Sequence, residues 1–447
     1  MEGNTIVAHR LTVLGTGYLG ATHAVCMAEL GFEVLGLDAD EERVNALAAG
    51  RLPFYEPGLE SLLEKGLRSG RLRFTSSYAE AADFGDVHFI CVGTPQQAGS
   101  GRADLSHLIA CVDALAPLLT RPCLIVGKST TPVGTAALLA ERIARTAPAG
   151  AAAELAWNPE FLREGHAVAD TLRPERIVVG VRSPAAEATL REVYAEPEAN
   201  GVPLLVTDFA TAELVKVSAN AFLATKISFI NAIAEVCEAT GADVAKLTEV
   251  LAYDHRIGGA GMRPGLGFGG GCLPKDIRAL QSWGEELGVG EAVAFLREVD
   301  AINMRCRSRV VELACELAGG SLDGKAVGLL GLAFKPDSDD IRDSPALDVA
   351  NTIRGLGARV TAYDPVAMDR ARQAHPELEY AGSAVGAATD ADVLLLLTEW
   401  PEFRQADPEI FGKAVARRNI VDGRHALDPA PWRAAGWRYR GLGRPDR

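Results

Sequence analysis

A single thiol in a glycine-rich segment is the residue of this chain best suited to covalent chemistry. The segment GFGGGCLPKD (267–276) places Cys272 after four glycines and ahead of Lys275 and Asp276. A thiolate can attack a carbonyl carbon, and nearby cations stabilise it. Glycine costs roughly 0.5–1 kcal/mol relative to alanine inside a regular element, so such a run indicates that something approaches the backbone closely. We expect Cys272 to be a nucleophile, with room above it for a substrate.

The other seven cysteines predict structure rather than chemistry. They are Cys26, Cys91, Cys111, Cys123, Cys237, Cys306 and Cys315, mostly in apolar context. No CxxC pair and no Cys/His cluster with zinc spacing occurs, so we expect buried small hydrophobes and no metal site.

A dinucleotide turn is predicted near the N-terminus. Gly15, Gly17 and Gly20 form GxGxxG between an apolar strand (11–14) and a helical segment, and Asp38 ends the next strand. This order predicts a tight turn that brings backbone N–H groups to a pyrophosphate. Asp38 would bind ribose hydroxyls and repel a 2′-phosphate, which favours NAD over NADP. Arg43, one helical turn later, weakens that distinction.

Two further loops follow strands where parallel sheets bind ligands. They are CVGTP (91–95) and KSTTPVGT (128–135). In WNPEFLREG, Asn158 could cap a helix that would set Glu160 and Glu164 one turn apart.

A long helical pattern runs from about 209 without internal Pro or Gly. It carries a polar stripe at Glu213, Lys216, Asn220 and Asn231, which by itself is typical of a solvated face.

The order of elements predicts an α/β protein with two doubly wound Rossmann-like domains joined by a central long-helix region. ADFGDVHFICVGTP in the first half is echoed by ATDADVLLLLTEWP in the second. We expect an α/β domain that carries the dinucleotide turn over 1–200, a helical region with Lys216 and Cys272 over 201–318, and a second α/β domain over 319–447.

Charge and hydropathy narrow the class of protein. The chain has a net charge of −14, which argues against a surface that coats nucleic acid or an anionic membrane. No apolar run approaches the roughly 20 residues of a spanning helix, and the N-terminus has no signal pattern. We expect a cytoplasmic protein.

These motifs together resemble the UDP-glucose/GDP-mannose dehydrogenase family, and within it the bacterial UDP-glucose 6-dehydrogenases. The matching segments are GTGYLG with Asp38, CVGTP, KSTTPVGT, NPEFLREG, AELVKVSANAFLATKISFINAIAE, DHRIG (254–258), GFGGGCLPKD, FKPDSDDIRDSP (334–345) and VDGR (421–424).

The resemblance implies a four-electron oxidation of a sugar C6 alcohol to a carboxylate, with NAD reduced twice. It implies that Lys216, or a water held by Asp276 and Thr130, removes the hydroxyl proton. Cys272 would then form a thiohemiacetal and a thioester, which water positioned by Glu160, Thr130 and Asp276 hydrolyses. Lys216 and Asn220 would stabilise the oxyanions.

The resemblance also implies binding residues. For NAD they are Gly15, Gly17, Tyr18, Leu19, Gly20, Asp38, Arg43, Gly93, Thr94, Pro95, Thr130, Glu164, Lys275 and Arg342. For the sugar nucleotide they are Glu160, Phe161, Leu162, Arg163, Lys216, Asn220, Arg256, Phe268, Gly269, Phe334, Lys335 and Arg424. Arg256 would reach the substrate from a second copy, which implies a homodimer through the central helix.

Several alternatives stay open. Relatives commonly have Ser at Gly271 and an aromatic at Leu273; Leu273 favours GDP-mannose, whereas DHRIG favours UDP-glucose. TDP-glucose differs from UDP-glucose by a methyl and a hydroxyl, and one methyl is worth only about 1–3 kcal/mol. An inactive nucleotide-sugar or NAD sensor predicts loss of Cys272, Lys216 or Asp276, and all three are present. A two-electron hydroxyacid dehydrogenase gives no reason for Cys272.

Overall fold

The computed structural model describes residues 9–445 in two compact units that divide between Ala219 and Asn220. Residues 1–8, part of the stretch on which the absence of a signal was predicted, lie outside the described residues, as do the last two residues of the predicted third domain.

The first unit is built on a predominantly parallel sheet of order β3-β2-β1-β4-β5-β6-β7-β8, in which only the β6–β7 pair is antiparallel. Its strands are β1 (Leu11–Leu14), β2 (Val34–Leu37), β3 (Leu72–Thr75), β4 (Val87–Ile90), β5 (Cys123–Gly127), β6 (Ala153–Trp157), β7 (Ile177–Gly180) and β8 (Leu204–Thr207). Its helices are α1 (Tyr18–Glu29), α2 (Glu41–Ala48), α3 (Leu59–Arg68), α4 (Tyr78–Phe84), α5 (Ser106–Leu115), α6 (Thr135–Thr146), α7 (Ala167–Leu172), α8 (Pro184–Val193) and α9 (Ala195–Ala199).

The second unit contains helices and then a parallel sheet of order β11-β10-β9-β12-β13-β14. The strands are β9 (Ala326–Leu330), β10 (Arg359–Tyr363), β11 (Glu379–Tyr380), β12 (Val393–Leu396), β13 (Asn419–Asp422) and β14 (Arg438–Gly441). The helices are α10 (Phe209–Thr240), which contains the division between the units, α11 (Val244–Ala252), α12 (Leu273–Glu286), α13 (Phe295–Ala318), α14 (Pro345–Gly355), α15 (Met368–Ala374), α16 (Ala384–Ala388), α17 (Pro401–Arg404), α18 (Pro408–Ala414) and α19 (Pro429–Ala434). Short 3₁₀ turns cover Ala116–Leu118, Gly150–Ala152 and Gly290–Val293.

The central strands are buried on both faces because helices cover both sides of each sheet. β1, β4 and β12 are buried at every position, which explains their continuous apolar sequences. The two sheets share one topology over six strands, since β4 lies beside β1 as β12 lies beside β9. The predicted fold class, two Rossmann-like domains joined by a long-helix region, is confirmed.

Helix α10 is long and apolar enough to cross a membrane by length and composition alone, which corrects the expectation that no apolar run approaches that length. Its polar residues nevertheless have partners within the protein. Glu213 accepts from the N–H groups of Gly134 and Ala136 at 2.8 and 2.7 Å, and Asn231 accepts from Gly265 N at 2.8 Å. The stripe interpreted as a solvated face is therefore buried, and that interpretation is wrong.

Candidate active site

The glycine turn of the first unit has the shape of a pyrophosphate cradle. Gly15 has a φ of +87°, and a Cβ on Gly20 would overlap the carbonyl oxygen of Gly15. A Cβ on Gly17 would instead meet nothing within 4 Å, so it faces open space at the start of α1. No side chain caps this helix N-terminus. The backbone N–H groups are thus available to an anionic ligand.

Asp38 lies at the end of β2, where a ribose would be bound. Its carboxylate accepts from Thr16 N at 2.7 Å and from Arg43 Nη1 at 3.0 Å. Burial would raise the pKa of Asp38, but hydrogen bonds from the backbone of Asp40, from Arg43 and from Thr16 outweigh it and lower the pKa. Arg43 therefore balances the negative charge of Asp38 by forming an ion pair with it, and so helps keep the carboxyl group ionised. The open cradle and the ionised acid fit a dinucleotide.

A buried ion pair joins two predicted site residues of the first unit. Lys216 Nζ lies 3.2 Å from Glu160 Oε1, and Glu160 Oε2 accepts from Leu162 N at 2.7 Å. The Lys216 cation also lies 5.5 Å from the centre of the Phe161 ring, and the Arg176 guanidinium lies 4.0 Å from the same centre. This arrangement fixes a lysine and a carboxylate within proton-transfer distance of each other.

The predicted helix over 158–164 is absent, since residues 158–163 have no regular secondary structure and a turn follows at 164–165. The amide of Asn158 accepts from Lys128 Nζ at 2.8 Å and from the Tyr194 hydroxyl, and it donates to Val178 O at 2.8 Å. With its side chain used in this way, Asn158 cannot cap a helix. Glu160 and Glu164 are thus not one helical turn apart.

The remaining predicted residues of the first unit lie on its loops. Thr94 Oγ1 donates to Thr130 O at 2.7 Å, which joins the CVGTP and KSTTPVGT loops as expected for neighbouring strand ends. A Cβ on Gly93 would meet nothing within 4 Å, and Pro95 O accepts from Asp104 N at 2.7 Å. Arg163 forms a two-pronged pair with Asp170, at 2.9 and 2.7 Å.

Cys272 immediately precedes α12 in the second unit and is exposed. None of the eight cysteines, all of which lie in the described residues, forms a disulfide. Burial raises the thiol pKa of each of the other seven, to about 12 for Cys26, Cys91, Cys111 and Cys306, to about 11 for Cys123, and upward for Cys237 and Cys315. Cys272 is thus the accessible thiol of the chain.

A buried carboxylate lies one helical turn from this thiol. Asp276 donates its backbone N–H to the carbonyl of Cys272 at 2.9 Å. Its side chain accepts from Asn220 Nδ2 at 2.6 Å and pairs with Lys275 Nζ at 2.7 Å. The structure therefore brings together four residues predicted from sequence, and holds the carboxylate between an amide and a cation.

The glycines before Cys272 are required by the protein itself. Gly267 has a φ of +88°, and its Cβ would overlap the side-chain oxygen of Asn303. Close neighbours at Gly269, Gly270 and Gly271 are, in order, the backbone of Asp343, the ring of Phe334 and the guanidinium of Arg342. The expectation that the glycines make room for a substrate is corrected at Gly267, Gly269 and Gly270, because protein groups fill that space; at Gly271 the neighbour is the movable end of the Arg342 side chain.

Buried polar side chains hold this glycine segment in place. Asn303 accepts from Phe268 N at 2.7 Å and donates to Phe268 O at 3.0 Å. Arg424, predicted to contact substrate, donates to the carbonyls of Gly267, Leu397 and Phe334 at 2.7, 2.8 and 3.2 Å. Its guanidinium also lies 3.6 Å from Glu399. One of these bonds therefore ties Arg424 to the segment before the thiol, and the other two tie it to Leu397 and Phe334.

The side chains of three other predicted residues of the second unit interact with different partners. Lys335 Nζ is 5.5 Å from the centre of the neighbouring Phe334 ring. Arg342 forms a two-pronged pair with Asp340, and Arg256 pairs with Asp254 on an exposed turn. Within residues 9–445 no cluster of three potential metal ligands occurs.

Comparison with known proteins identifies the family. Residues 9–198, 210–305 and 328–429 match the NAD-binding, central and UDP-binding domains of the UDP-glucose/GDP-mannose dehydrogenase family. The chain is 40% identical to UDP-glucose 6-dehydrogenase of Rhizobium meliloti over 98% of this chain and 100% of that protein. It belongs to the UDP-glucose/GDP-mannose dehydrogenase family. As a member of that family it is an NAD-dependent oxidoreductase.

Other members of the family agree in sequence and fold. UDP-glucose 6-dehydrogenase of Pseudomonas aeruginosa is 41% identical, with 98% of both chains covered. The structure of a UDP-glucose dehydrogenase from Pyrobaculum islandicum superimposes with a TM-score of 0.90 at 38% identity, covering 99% of this chain and 100% of that one. The structure of a GDP-mannose dehydrogenase from P. aeruginosa superimposes with a TM-score of 0.54 at 28% identity, covering 97% of this chain and 99% of that one.

The sequence did not predict three buried polar residues that hold the backbone near Gly165 and near Phe268. Glu56, Asn303 and Arg307 lie in ordinary helical or turn sequence, and each acts through backbone groups distant along the chain. For Glu56 there was one local signal, its position directly before Pro-Gly in FYEPGLE, since an acid at such a turn often accepts backbone hydrogen bonds.

Proposed function

We propose that this protein oxidises the C6 alcohol of UDP-glucose to the carboxylate of UDP-glucuronate, using two NAD+ and one water. The observation that carries the proposal is the exposed Cys272 beside a buried, hydrogen-bonded Asp276, in a chain whose other thiols are buried or partly buried with raised pKa values. UDP-glucose is favoured because full-length relatives at 38–41% identity are UDP-glucose 6-dehydrogenases.

The proposed cofactor site is the turn of Gly15, Gly17 and Gly20 with Asp38. Tyr18, Leu19, Arg43, Gly93, Thr94, Pro95, Thr130, Glu164, Lys275 and Arg342 complete the proposed set. NAD, when bound there, supplies the hydride acceptor for both oxidations.

In the first oxidation, C6 loses a hydride and its hydroxyl proton is removed. We assign the removal of this hydroxyl proton to Lys216, or to a water held by Asp276 and Thr130. The Lys216–Glu160 pair supports this role, because the carboxylate at 3.2 Å can accept the proton in turn.

In the second oxidation, the Cys272 thiolate bonds to C6 of the aldehyde and the oxygen takes up a proton, giving a thiohemiacetal. Loss of the remaining C6 hydride and of the hydroxyl proton leaves a thioester. Water positioned by Glu160, Thr130 and Asp276 then breaks the C–S bond, releasing carboxylate and thiol. Lys216 and Asn220, one turn apart on α10, stabilise the oxyanions.

We assign sugar-nucleotide binding to Phe161, Leu162, Arg163, Phe268, Gly269, Phe334 and Lys335. Arg424 belongs to the same proposed set, and its hydrogen bond to the Gly267 carbonyl also holds the segment before the thiol. The proposed division is NAD binding by 1–200, the thiol and dimer contact in 201–318, and sugar-nucleotide binding by 319–447. Eight cysteines without a disulfide fit a reducing compartment such as the cytoplasm.

The substrate is tested by kcat/KM on a panel of UDP-glucose, TDP-glucose, GDP-mannose and UDP-N-acetylmannosamine. The last is included because a dehydrogenase for that sugar from Pyrococcus horikoshii superimposes with a TM-score of 0.84 at 28% identity. We expect UDP-glucose to be preferred. A preference for GDP-mannose would overturn the assignment and would show that Leu273 is the better indicator of the substrate than DHRIG.

We also infer a homodimer through α10. Phe222, Phe229 and Val236 are spaced by seven residues along this helix and are 66, 50 and 55% exposed. Such a spacing puts them on one face, and an apolar stripe of this kind is typical of a helix that packs against another helix. Arg256, on an exposed turn, would then be available to a neighbouring copy.

A further inference from the structure

A buried carboxylate outside the proposed catalytic set connects two parts of the first unit. Glu56 follows Phe54 and Tyr55 in the loop before α3 and is almost inaccessible to solvent. Its Oε2 accepts from Gly165 N at 2.6 Å and from the Tyr18 hydroxyl, and its Oε1 accepts from Ala167 N at 2.7 Å. One side chain therefore binds the glycine turn and the end of the segment Pro159–His166.

Tyr18 is suited to carry this connection. It is the first residue of α1, directly after Gly17, and its ring packs at 4.8 Å from that of Phe54. Burial, and then the Glu56 and Glu164 carboxylates, raise the pKa of Tyr18 well above its usual range. The phenol thus remains a neutral donor to Glu56 throughout the physiological pH range.

The segment on the other side carries the residues that the proposed function requires. Glu160, Phe161 and Glu164 lie between the anchor at Asn158 and the Glu56 contacts at Gly165 and Ala167. The segment has no regular secondary structure, so no helical hydrogen bonds define its conformation. Its geometry depends on those two anchors together with the Lys216–Glu160 and Arg163–Asp170 pairs.

We propose that Glu56 is a positioning residue that couples the dinucleotide turn to the segment Pro159–His166, through Tyr18 on one side and the N–H groups of Gly165 and Ala167 on the other. Occupancy of the turn then orders the segment that carries Glu160 and Glu164. The last step rests on the proposed function, whereas the coupling itself concerns only the first unit and NAD.

The test is amide hydrogen exchange of peptides from 159–172, with and without NAD, in the full-length protein. We expect NAD to slow exchange there in the wild type. Tyr18→Phe removes only the hydroxyl and leaves the backbone bonds of Glu56 in place. It should keep the exchange rates of the free protein within about twofold yet lose the slowing by NAD.

Glu56→Gln removes the negative charge and one of the two acceptor oxygens, so the hydrogen bonds of at least one side of the connection are lost. It should accelerate exchange at 165–168 roughly tenfold or more even without NAD, as expected when hydrogen bonds to a charged acceptor are lost. By reciprocity, NAD affinity measured by titration should weaken by roughly fivefold in both variants. Ser77→Ala, which removes the cap of α4 elsewhere in this unit, is the matched control and should change neither quantity.

Retention of the full NAD effect in Tyr18→Phe would overturn the proposal even if Glu56→Gln fails to fold. A purely structural Glu56 predicts that outcome. Because no sugar nucleotide is used, failure of the substrate proposal leaves this result interpretable. In turnover, coupling predicts lower kcat for Tyr18→Phe with the KM for the sugar nucleotide changed less than kcat.

Discussion

Accessibility decides which thiol of this protein can react. Sequence context predicted seven inert cysteines and one nucleophile, and the structure buries or partly buries the seven while exposing Cys272. Thiolate is the reactive form, so each unit by which burial raises a thiol pKa lowers its fraction at neutral pH about tenfold. The sequence alone could locate Cys272, because the glycine run and Asp276 are local along the chain.

Selective alkylation follows from this difference. In the folded protein at pH 7.5, limiting iodoacetamide should label Cys272 well before Cys91 or Cys111, because burial raises the pKa of those two thiols to about 12. Peptide mass spectrometry gives the order of labelling. Denatured protein, in which all eight should react, is the control; equal labelling of Cys91 and Cys272 in the folded state would contradict the assignment.

Replacement of the thiol should stop acid formation. Cys272→Ala is expected to lower the rate of UDP-glucuronate production by at least about 10³-fold, since covalent capture of the aldehyde is lost. Cys111→Ala, in a buried position of the first unit, is the matched control and should retain the chemistry. Acid formation by Cys272→Ala at near wild-type rate would remove the thioester from the mechanism.

At the scale of elements, sequence patterns predicted structure well where the cause was local. The turn at Gly15–Gly20 and the adjoining strand and helix are confirmed, since glycine spacing sets that turn. The helix over NPEFLREG was wrong because Lys128, Tyr194 and Val178 use the Asn158 side chain. The polar stripe of α10 was misinterpreted because its partners lie far away in sequence.

The glycine segment offers a stability test at this scale. Gly267→Ala should lower the free energy of unfolding by about 1–3 kcal/mol, because its φ of +88° disfavours a side chain and the Cβ would overlap Asn303. Gly355→Ala at the end of α14, where a Cβ would meet nothing within 4 Å, is the control and should be neutral or stabilising. Urea unfolding measures both. Equal stabilities would show that the segment yields without cost.

At the scale of the whole molecule, the two sheets were predictable because each central strand is a continuous apolar run. Strands β3, β6, β8, β11 and β14 were missed, since they are short or mixed in polarity and depend on pairing with neighbours. The backbone contacts of Arg424 were also out of reach, and for Glu56 the position before Pro-Gly was the one local signal. Both side chains bind backbone groups more than 100 residues from them along the chain.

Assembly is predicted from the exposed face of α10. Phe229→Glu should convert a dimer to monomer, because a carboxylate cannot be buried in an apolar helix contact without a partner. Leu138→Glu, at a similarly exposed leucine of α6, should leave the dimer intact. Light scattering after gel filtration distinguishes the two, and a Phe229→Glu protein that remains dimeric would place the contact elsewhere.

The central claim is that one chain performs two successive oxidations through a thioester on Cys272. The most direct test is the amount of NADH formed per UDP-glucose consumed, followed by absorbance until a limiting amount of sugar is exhausted. Each hydride transfer reduces one NAD+, so the account predicts two NADH per sugar with UDP-glucuronate as product. One NADH per sugar, with aldehyde accumulating in solution, would contradict it.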